Sequence, residues 1–485
     1  MISETIRVRF APSPTGYLHV GGLRTALYNY LFARQNNGVF ILRIEDTDRT
    51  RYVEGAVENL IDTLRWAGLE FDEGPKKGGN SGPYIQSERL DIYRKYAEQL
   101  VQECKAYYCF CTSERLEKMR DDLEGTGAFA KYDKTCSKLS ESDIEKNLAD
   151  GTSYVIRMKV PENRIIKFHD LIREEVEIAS DLTDEQVLIK SDGYPTYHLA
   201  NVVDDHLMRV THVIRGEEWL PSVPKHILLY EYFGWEIPIL AHLPLLLNAD
   251  RSKLSKRQGD VAVEDYKTKG YLKEGLLNFV AFLGWNPGDE REIFSLDELV
   301  KEFSLERVGK AGAIFNIEKL NWINLQHIHQ KSNEDLVPIL KDILVNSKYK
   351  DLNLSDEYLA NVIGAMRVRI NYVSGILEKS SYFFEQPQSY DDTVLKKHWK
   401  QETPNQLSKL IKEYSLLQNP TKEDYESTLK KTAEQLGIGA GKLIHPTRLS
   451  VSGVGEGPGL YDILFILGKE EVTTRIETAI NKIKI

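Results

Sequence analysis

Hydrophobic and polar positions alternate at the start of the chain and then change period. Ile6, Val8 and Phe10 alternate with Arg7 and Arg9, the period of two expected of a strand with one buried face. Pro12, Pro14 and Gly16 follow and forbid regular structure, which predicts a rigid loop. Beyond Gly22 the period lengthens: Leu23, Ala26, Leu27, Tyr30 and Leu31 recur at three-to-four spacing, predicting a helix with one apolar face. Val39-Phe40-Ile41-Leu42-Arg43-Ile44 is a short apolar run, as expected of a buried strand. Strand, helix, strand in that order predicts a parallel α/β sheet. Its functional edge lies at the carboxyl ends of the strands, where Arg9 and Glu45 fall.

The pattern shifts further along. Residues from about 95 to 195 hold a polar stretch from Gly125 to Asp150 and a β-like run from Ser153 to Val160, and they predict an inserted domain. The runs Val210 to Arg215 and Ile237 to His242 are expected to return to the parallel sheet. From about residue 330 onward the chain is mostly amphipathic helix. Neither an internal repeat nor a low-complexity segment interrupts it.

Composition adds bounds. A chain of 485 residues allows about three domains at roughly 150 residues each. Hydrophobic residues make up 41% and charged residues 28%, ordinary for a water-soluble protein. No basic-then-apolar leader or membrane-length run stands out, so a cytoplasmic location and no membrane partner are expected. The net charge of −10, from 63 basic and 73 acidic side chains, argues against a generic polyanion binder. It leaves nucleic acid open, because binding follows local clusters of cations. The 4 cysteines, Cys104, Cys109, Cys111 and Cys136, share one window. That is too few for a disulfide scaffold and points to a local metal site.

Two stretches carry the chemistry. Pro12-Ser13-Pro14-Thr15-Gly16-Tyr17-Leu18-His19-Val20-Gly21-Gly22 runs from a Pro/Gly loop into a helix start, which offers backbone N–H groups and a positive dipole end to phosphate. Gly21 and Gly22 permit close approach of a nucleotide, and His19 is placed to donate to a phosphate oxygen. The plain alternative is a turn with an incidental histidine. Lys253-Leu254-Ser255-Lys256-Arg257 is either a solvated cationic face or a loop clamping triphosphate oxygens and stabilising the leaving pyrophosphate. There is no Gly-x-x-x-x-Gly-Lys-Ser/Thr run, so ATP needs another cradle than a P-loop. Arg43-Ile44-Glu45-Asp46-Thr47-Asp48-Arg49 is a charged strand end, with a helix cap or a salt-bridge cluster as the alternative. It lacks the glycine and distal glutamate of an EF-hand. The glycine series from Val451 to Gly459 is broken by Pro458, lies in no βαβ context, and predicts a loop between helices.

Together and in this order, the two stretches look like the ATP signatures of class I aminoacyl-tRNA synthetases. Longer runs sharpen the likeness: Arg9 to Gly16, Arg43 to Arg49, Gly82 to Arg89, Lys190 to His206, Val213 to Leu220 and His445 to Gly453. With these the chain resembles bacterial-type glutamyl-tRNA synthetases over nearly its whole length. The resemblance implies a Rossmann-like parallel-sheet catalytic domain (1–94 and 196–260) interrupted by an acceptor-stem-binding insertion (95–195). A stem-contact domain (261–330) and an all-helical anticodon-binding region (331–485) follow. It implies a two-step, ATP-dependent attachment of L-glutamate to tRNA(Glu) through glutamyl-adenylate. Mg²⁺ would accompany ATP, tRNA would be bound before the first step, and the protein would be a monomer.

The same likeness implies residue roles. Arg9, Ala11, Ser13, Glu45, Tyr197, Asn201 and Arg215 would form the glutamate site. Arg9 and Arg215 are the natural partners for two carboxylates, since arginine offers bidentate forks, and Glu45 suits the ammonium group. Glu218, Trp219 and Leu246 would contact adenosine. His19, Lys253 and Lys256 would handle phosphates, with Gly21, Gly22 and Ser255 beside them. Core packing is the alternative for Tyr197 and Trp219. Cys109, Cys111 and Cys136, with Tyr132, match a family zinc pattern whose fourth position is Lys138 here. An ammonium group does not ligate zinc, so Cys104, water or another side chain completes a structural site, or no zinc is held. Arg367 and Arg369 lie where the family reads the anticodon and favour charging of tRNA(Glu) alone. Charging of tRNA(Gln) as well is the close alternative, and a catalytically silent RNA-binding protein is the alternative of a different class.

Overall fold

The computed structural model describes residues 5–124, 131–254 and 262–484. They fall into two compact units: Met1–Glu264 with Leu277–Asn316, and Asp265–Leu276 with Ile317–Ile485.

The first unit begins with β1 (Arg7–Phe10), α1 (Val20–Gln35) and β2 (Val39–Leu42). The two strands pair in parallel from Arg7 opposite Val39 to Phe10 opposite Leu42, as the change of period predicts. Next come α2 (Ala56–Ala67) and α3 (Leu90–Gln102), then β3 (Ala106–Cys109), α4 (Ser113–Glu124) and α5 (Glu141–Ala149). The chain continues through β4 (Val155–Met158), β5 (Ile165–Asp170), β6 (Glu174–Ala179) and β7 (Val187–Ile189), then α6 (Tyr197–Leu207), β8 (His212–Gly216), α7 (Val223–Phe233) and β9 (Ile239–Leu243). Strands β8 and β9 are parallel, and Thr211 donates its N–H to the Arg7 carbonyl at 2.9 Å, joining the start of β8 to β1. The result is a mixed α/β architecture with a parallel sheet of the Rossmann type.

The stretch read as an insertion divides in two. Strands β3, β4 and β7 form a separate antiparallel sheet. The hairpin β5–β6 instead extends the parallel sheet, because β5 pairs in parallel with β9 at Asp170 and Leu240. Asp170 is thereby delivered to the edge that carries the cavity described below.

Helix α1 differs from the amphipathic expectation. It begins at Val20, so Gly21 and Gly22 lie in its first turn. It is buried on several faces, since Arg24, Tyr28 and Asn29 are as enclosed as Leu23, Leu27 and Leu31. Sheet covers one side, and residues 281–303 cover the other: the Tyr28 and Phe303 rings lie 5.0 Å apart. The buried polar groups are tolerable because backbone carbonyls receive them. Arg24 donates to the carbonyls of Leu283 (3.0 Å) and Pro244 (2.5 Å), and Tyr28 to Ala281 (2.9 Å) and Leu283 (3.2 Å). Asn29 donates to Ile214 at 3.1 Å.

In the second unit the described residues carry helices and turns only. Capping boxes at Ser332 and Thr421 start two of the helices. Their apolar faces meet in one core that includes Leu340, Ile363, Tyr414, Leu449 and Ile476. Gly453 to Gly459 connects the helices Gly441–Ser452 and Leu460–Leu467, the loop that Pro458 predicts.

Replacing Tyr28 by Phe removes a buried donor and strands the Ala281 carbonyl. The expected cost is about 1–3 kcal/mol, read as an earlier urea transition of the first unit with helical content retained. An unchanged transition would mean that the carbonyl finds another donor.

Candidate active site

A cavity of about 430 Å³ opens at the carboxyl ends of β1, β2 and β8. Arg9, Ala11 and Ser13 line it from β1 and the loop that follows, and Glu45 lines it from beyond β2. Tyr197 and Asn201 enter from the first turns of α6, and Arg215 from the end of β8. His19, Gly21, Gly22, Glu218, Trp219, Leu246 and Lys253 also line it. Ser255 and Lys256 lie outside the described residues.

At one end of the cavity stands the start of α1. His19 is its N-cap, and its Nδ1 accepts from the Gly22 N–H at 3.0 Å. A neutral imidazole that accepts at Nδ1 carries its hydrogen on Nε2. A Cβ added at Gly21 would meet His19 Nδ1 at 3.0 Å, and one at Gly22 would meet Leu18 Cδ1 at 2.6 Å; side chains there would disturb the capped turn. Lys253 sits on a hairpin closed by the Leu254 N–H donating to Leu246 at 2.9 Å. The Trp219 and Tyr197 rings lie 4.3 Å apart. A Cβ at Gly216 would overlap the Glu218 carboxylate, so glycine there lets the strand end turn beside that side chain.

Beneath the other end lies a buried ionic network. Arg9 makes a bidentate pair with Asp205, Nε to Oδ1 at 3.1 Å and Nη2 to Oδ2 at 3.2 Å. Arg43 reaches Asp205 at 2.7 Å, Glu45 at 2.9 Å and Asp204 at 3.7 Å. Asp204 also accepts from Arg89 (2.7 Å), Gln86 (2.9 Å) and Tyr93 (2.9 Å). Three guanidinium groups thus face three carboxylates, all nearly inaccessible to solvent. Burial alone would raise every carboxyl pKa. For Asp205 the Arg9 and Arg43 charges overcome it and hold the group below the usual range. For Glu45 burial wins over Arg43 and Arg9, and its pKa is raised. Asp204 is raised for the same reason. Glu45 Oε1 already accepts from Arg43, and from Asn201 at 3.4 Å.

Arg215 is held differently. Its Nε donates to His242 Nε2 at 3.0 Å and its Nη1 to the Tyr197 hydroxyl at 2.9 Å, while both Nη atoms stand 3.5 Å from His226 Nδ1. Among the described residues no carboxylate lies within ion-pair distance of it.

The sequence placed both Arg9 and Arg215 as carboxylate partners; Arg9 is already engaged by Asp205 through two of its nitrogens. Asp204, Asp205, Arg43, His226, His242 and Asp170 escaped the sequence reading as site residues. The first three stand inside quoted runs, where a pair of acidic residues on an otherwise apolar helix, Val202-Val203-Asp204-Asp205, was a usable sign of buried ion pairs. Nothing in the sequence separates His226 or His242 from ordinary core histidines.

Two further clusters lie elsewhere. The sulfurs of Cys109, Cys111 and Cys136 all lie within 4.8 Å of one another. The Tyr132 hydroxyl stands 3.3 Å from both Cys109 Sγ and Cys111 Sγ. Three thiols and a phenol oxygen make a donor set that fits zinc. Cys104 is exposed and is not part of the group; Lys138 ends the short turn that carries Cys136. In the second unit, Arg367 spends its guanidinium on Asn333 Oδ1 (3.0 Å) and the carbonyls of Ile328 and Lys331 (both 2.8 Å). Arg369 is exposed.

Comparison with known proteins identifies the family. Residues 5–322 match the family described as tRNA synthetases class I (E and Q), catalytic domain. Residues 333–480 match an anticodon binding domain. A glutamate–tRNA ligase of Chloroherpeton thalassium is 54% identical over 100% of this chain and 99% of its own length. One of Pelodictyon phaeoclathratiforme is 54% identical over 98% of each. A crystal structure of a glutamate tRNA ligase from Elizabethkingia meningosepticum, in complex with its amino acid, superposes with a TM-score of 0.89 at 44% identity. That match covers 99% of this chain and 100% of the other.

Removing Asp205 leaves Arg9 and Arg43 facing each other without their shared counter-ion. Asp205→Ala is expected to cost about 3–5 kcal/mol in denaturant unfolding of the first unit. A loss below about 1 kcal/mol would show that the two arginines are neutralised elsewhere.

Proposed function

The chain belongs to the class I tRNA synthetase family for glutamate and glutamine, and on that footing we propose that it attaches L-glutamate to tRNA(Glu) in two steps within this cavity. The observation that carries the reading is Arg215, a buried guanidinium without a carboxylate partner among the described residues, sharing one cavity with a helix start suited to phosphate.

In this reading the side-chain carboxylate of glutamate pairs with Arg215. The ammonium group goes to Glu45, whose pKa burial raises despite the neighbouring Arg43 and Arg9. The α-carboxylate lies towards Arg9. Ala11 and Ser13 border it, with Tyr197 and Asn201 opposite. Glu218, Trp219 and Leu246 take the adenosine of ATP. Its phosphates, with Mg²⁺, lie over the start of α1, where Gly21 and Gly22 clear the way and His19 Nε2–H donates. Lys253 contributes from the hairpin, with Ser255 and Lys256 following it in sequence. An oxygen of the α-carboxylate attacks the α-phosphorus, the bond to the bridging oxygen of the β-phosphate breaks, and pyrophosphate departs. A terminal ribose hydroxyl of tRNA then attacks the glutamyl carbonyl carbon, and AMP leaves. Positioning and stabilisation of the departing charge account for most of the acceleration.

We infer that residues 95–195 meet the acceptor stem, residues 261–330 contact the stem beyond it, and the second unit reads the anticodon. Arg369 is favoured for that reading because Arg367 is spent inside its own unit. The protein acts as a monomer in the cytoplasm. Cys109, Cys111, Cys136 and the Tyr132 hydroxyl hold a structural zinc, which would tie β3 to the turn around Cys136.

Aminoacylation of separately purified tRNAs tests the function. Glutamate is expected on tRNA(Glu) and not on tRNA(Gln), with ATP–pyrophosphate exchange appearing only once tRNA is added. Absence of exchange with glutamate, ATP and cognate tRNA all present would end the enzyme reading. For the metal, elemental analysis of purified protein is expected to return about one zinc per chain, falling sharply in Cys136→Ser. A zinc content far below one in the unaltered protein would remove it.

A further inference from the structure

Arg9 and Arg43 on one side, and Arg215 on the other, are buried cations held differently. Arg9 and Arg43 are neutralised by carboxylates. Arg215, only 5% exposed, is surrounded by uncharged acceptors: His242 Nε2, His226 Nδ1 and the Tyr197 hydroxyl. Arginine has donors only, so each of these atoms must present a lone pair to it.

That requirement settles the hydrogens. His242 accepts at Nε2 and therefore carries its hydrogen on Nδ1, which donates to Asp170 Oδ2 at 2.6 Å. His226 accepts at Nδ1 and carries its hydrogen on Nε2, facing His198 Nδ1 at 3.1 Å. Burial favours the neutral form of all three rings: His226 is held well below the usual range with Arg215 adding to the effect, His242 is lowered, and His198 falls to about 3.

Asp170 can face His242 in one way. Its Oδ1 accepts from the backbone N–H groups of Ile172 (2.9 Å), Arg173 (2.9 Å) and His242 (3.3 Å), which leaves Oδ2 for the imidazole. Strand register builds the line: Arg215 and His242 are direct partners across β8 and β9, and Asp170 ends β5 beside β9.

We propose that Asp170, acting through the tautomer of His242, is a positioning residue for Arg215, and that the uncharged cradle of His242, His226 and Tyr197 reserves the guanidinium charge for the side-chain carboxylate of the substrate. This rests on placing Arg215 in the glutamate pocket. A carboxylate in direct contact would hold Arg215 as firmly but neutralise it. Set one imidazole further back, Asp170 orients the fork and leaves its charge-assisted bonds for the ligand.

Asp170→Asn tests the relay with almost no change in shape. The three backbone N–H groups still demand an oxygen, so the amide NH₂ must face His242 Nδ1. The ring then accepts there and turns an Nε2–H against the Arg215 Nε–H, as in other carboxylate–histidine pairs where the same exchange imposes the wrong tautomer. In steady-state aminoacylation by the full chain with cognate tRNA, the glutamate KM is expected to rise at least about tenfold. The KM values for ATP and tRNA should stay within about twofold. Arg215→Ala is measured beside it. A raised glutamate KM in Arg215→Ala with none in Asp170→Asn overturns the relay alone. No rise in either overturns the pocket assignment with it. The unaltered enzyme supplies a check that needs no variant: ¹⁵N spectra must show His242 neutral with its hydrogen on Nδ1. A hydrogen on Nε2, or an imidazolium, overturns the proposal.

Discussion

The cavity stands on the buried pairing of Arg9 and Arg43 with Asp205, extended through Asp204 to Arg89 and through Glu45 to Asn201. Taking so many charges out of water is costly, and only mutual neutralisation with well-aligned hydrogen bonds makes it tolerable. The alignment in turn fixes neighbours. Two adjacent aspartates on α6 hold arginines from β1, from the end of β2 and from the entry to α3. Strand ends and helix are thereby locked in one geometry, and Glu45, Tyr197 and Asn201 are presented to the cavity from supports that cannot shift independently.

Against that neutral floor the charge of Arg215 stands out. The capped start of α1, Glu45 and Arg215 line one cavity, and in the proposed function they take phosphate, ammonium and carboxylate. An amino acid with an acidic side chain and a nucleoside triphosphate would satisfy that proposed arrangement together, and the chain is similar over its full length to glutamate–tRNA ligases. The same contrast explains why buried histidines, and not acidic residues, surround Arg215.

Some of the architecture was visible in residue spacing. The two-to-3.6 change of period around Gly16 marked β1, the loop and α1, and the short apolar runs marked β2, β8 and β9, because strand and helix periods follow from backbone geometry alone. Helix α1 shows the limit. Its spacing indicated one apolar face, yet Arg24, Tyr28 and Asn29 are buried as well, since distant carbonyls at Pro244, Ala281 and Leu283 arrive to receive them. Polar residues look the same in sequence whether water or a buried carbonyl is their partner.

By itself the sequence determined the strand–helix–strand start, the runs that return to the parallel sheet, the turn at His19 to Gly22, and most of the residues that line one cavity. Local motifs carry these, because a capped helix start or a charged strand end is built from neighbours in the chain. The division of labour among the arginines was decided only by tertiary structure. Arg9 and Arg215 are both cations at strand ends, but Asp205 lies 196 residues from the first, while His242 and His226 come to the second across strand register and helix packing. Charge compensation depends on distances of a few ångströms between segments far apart in sequence, so whether a guanidinium is spent or available is settled by the fold.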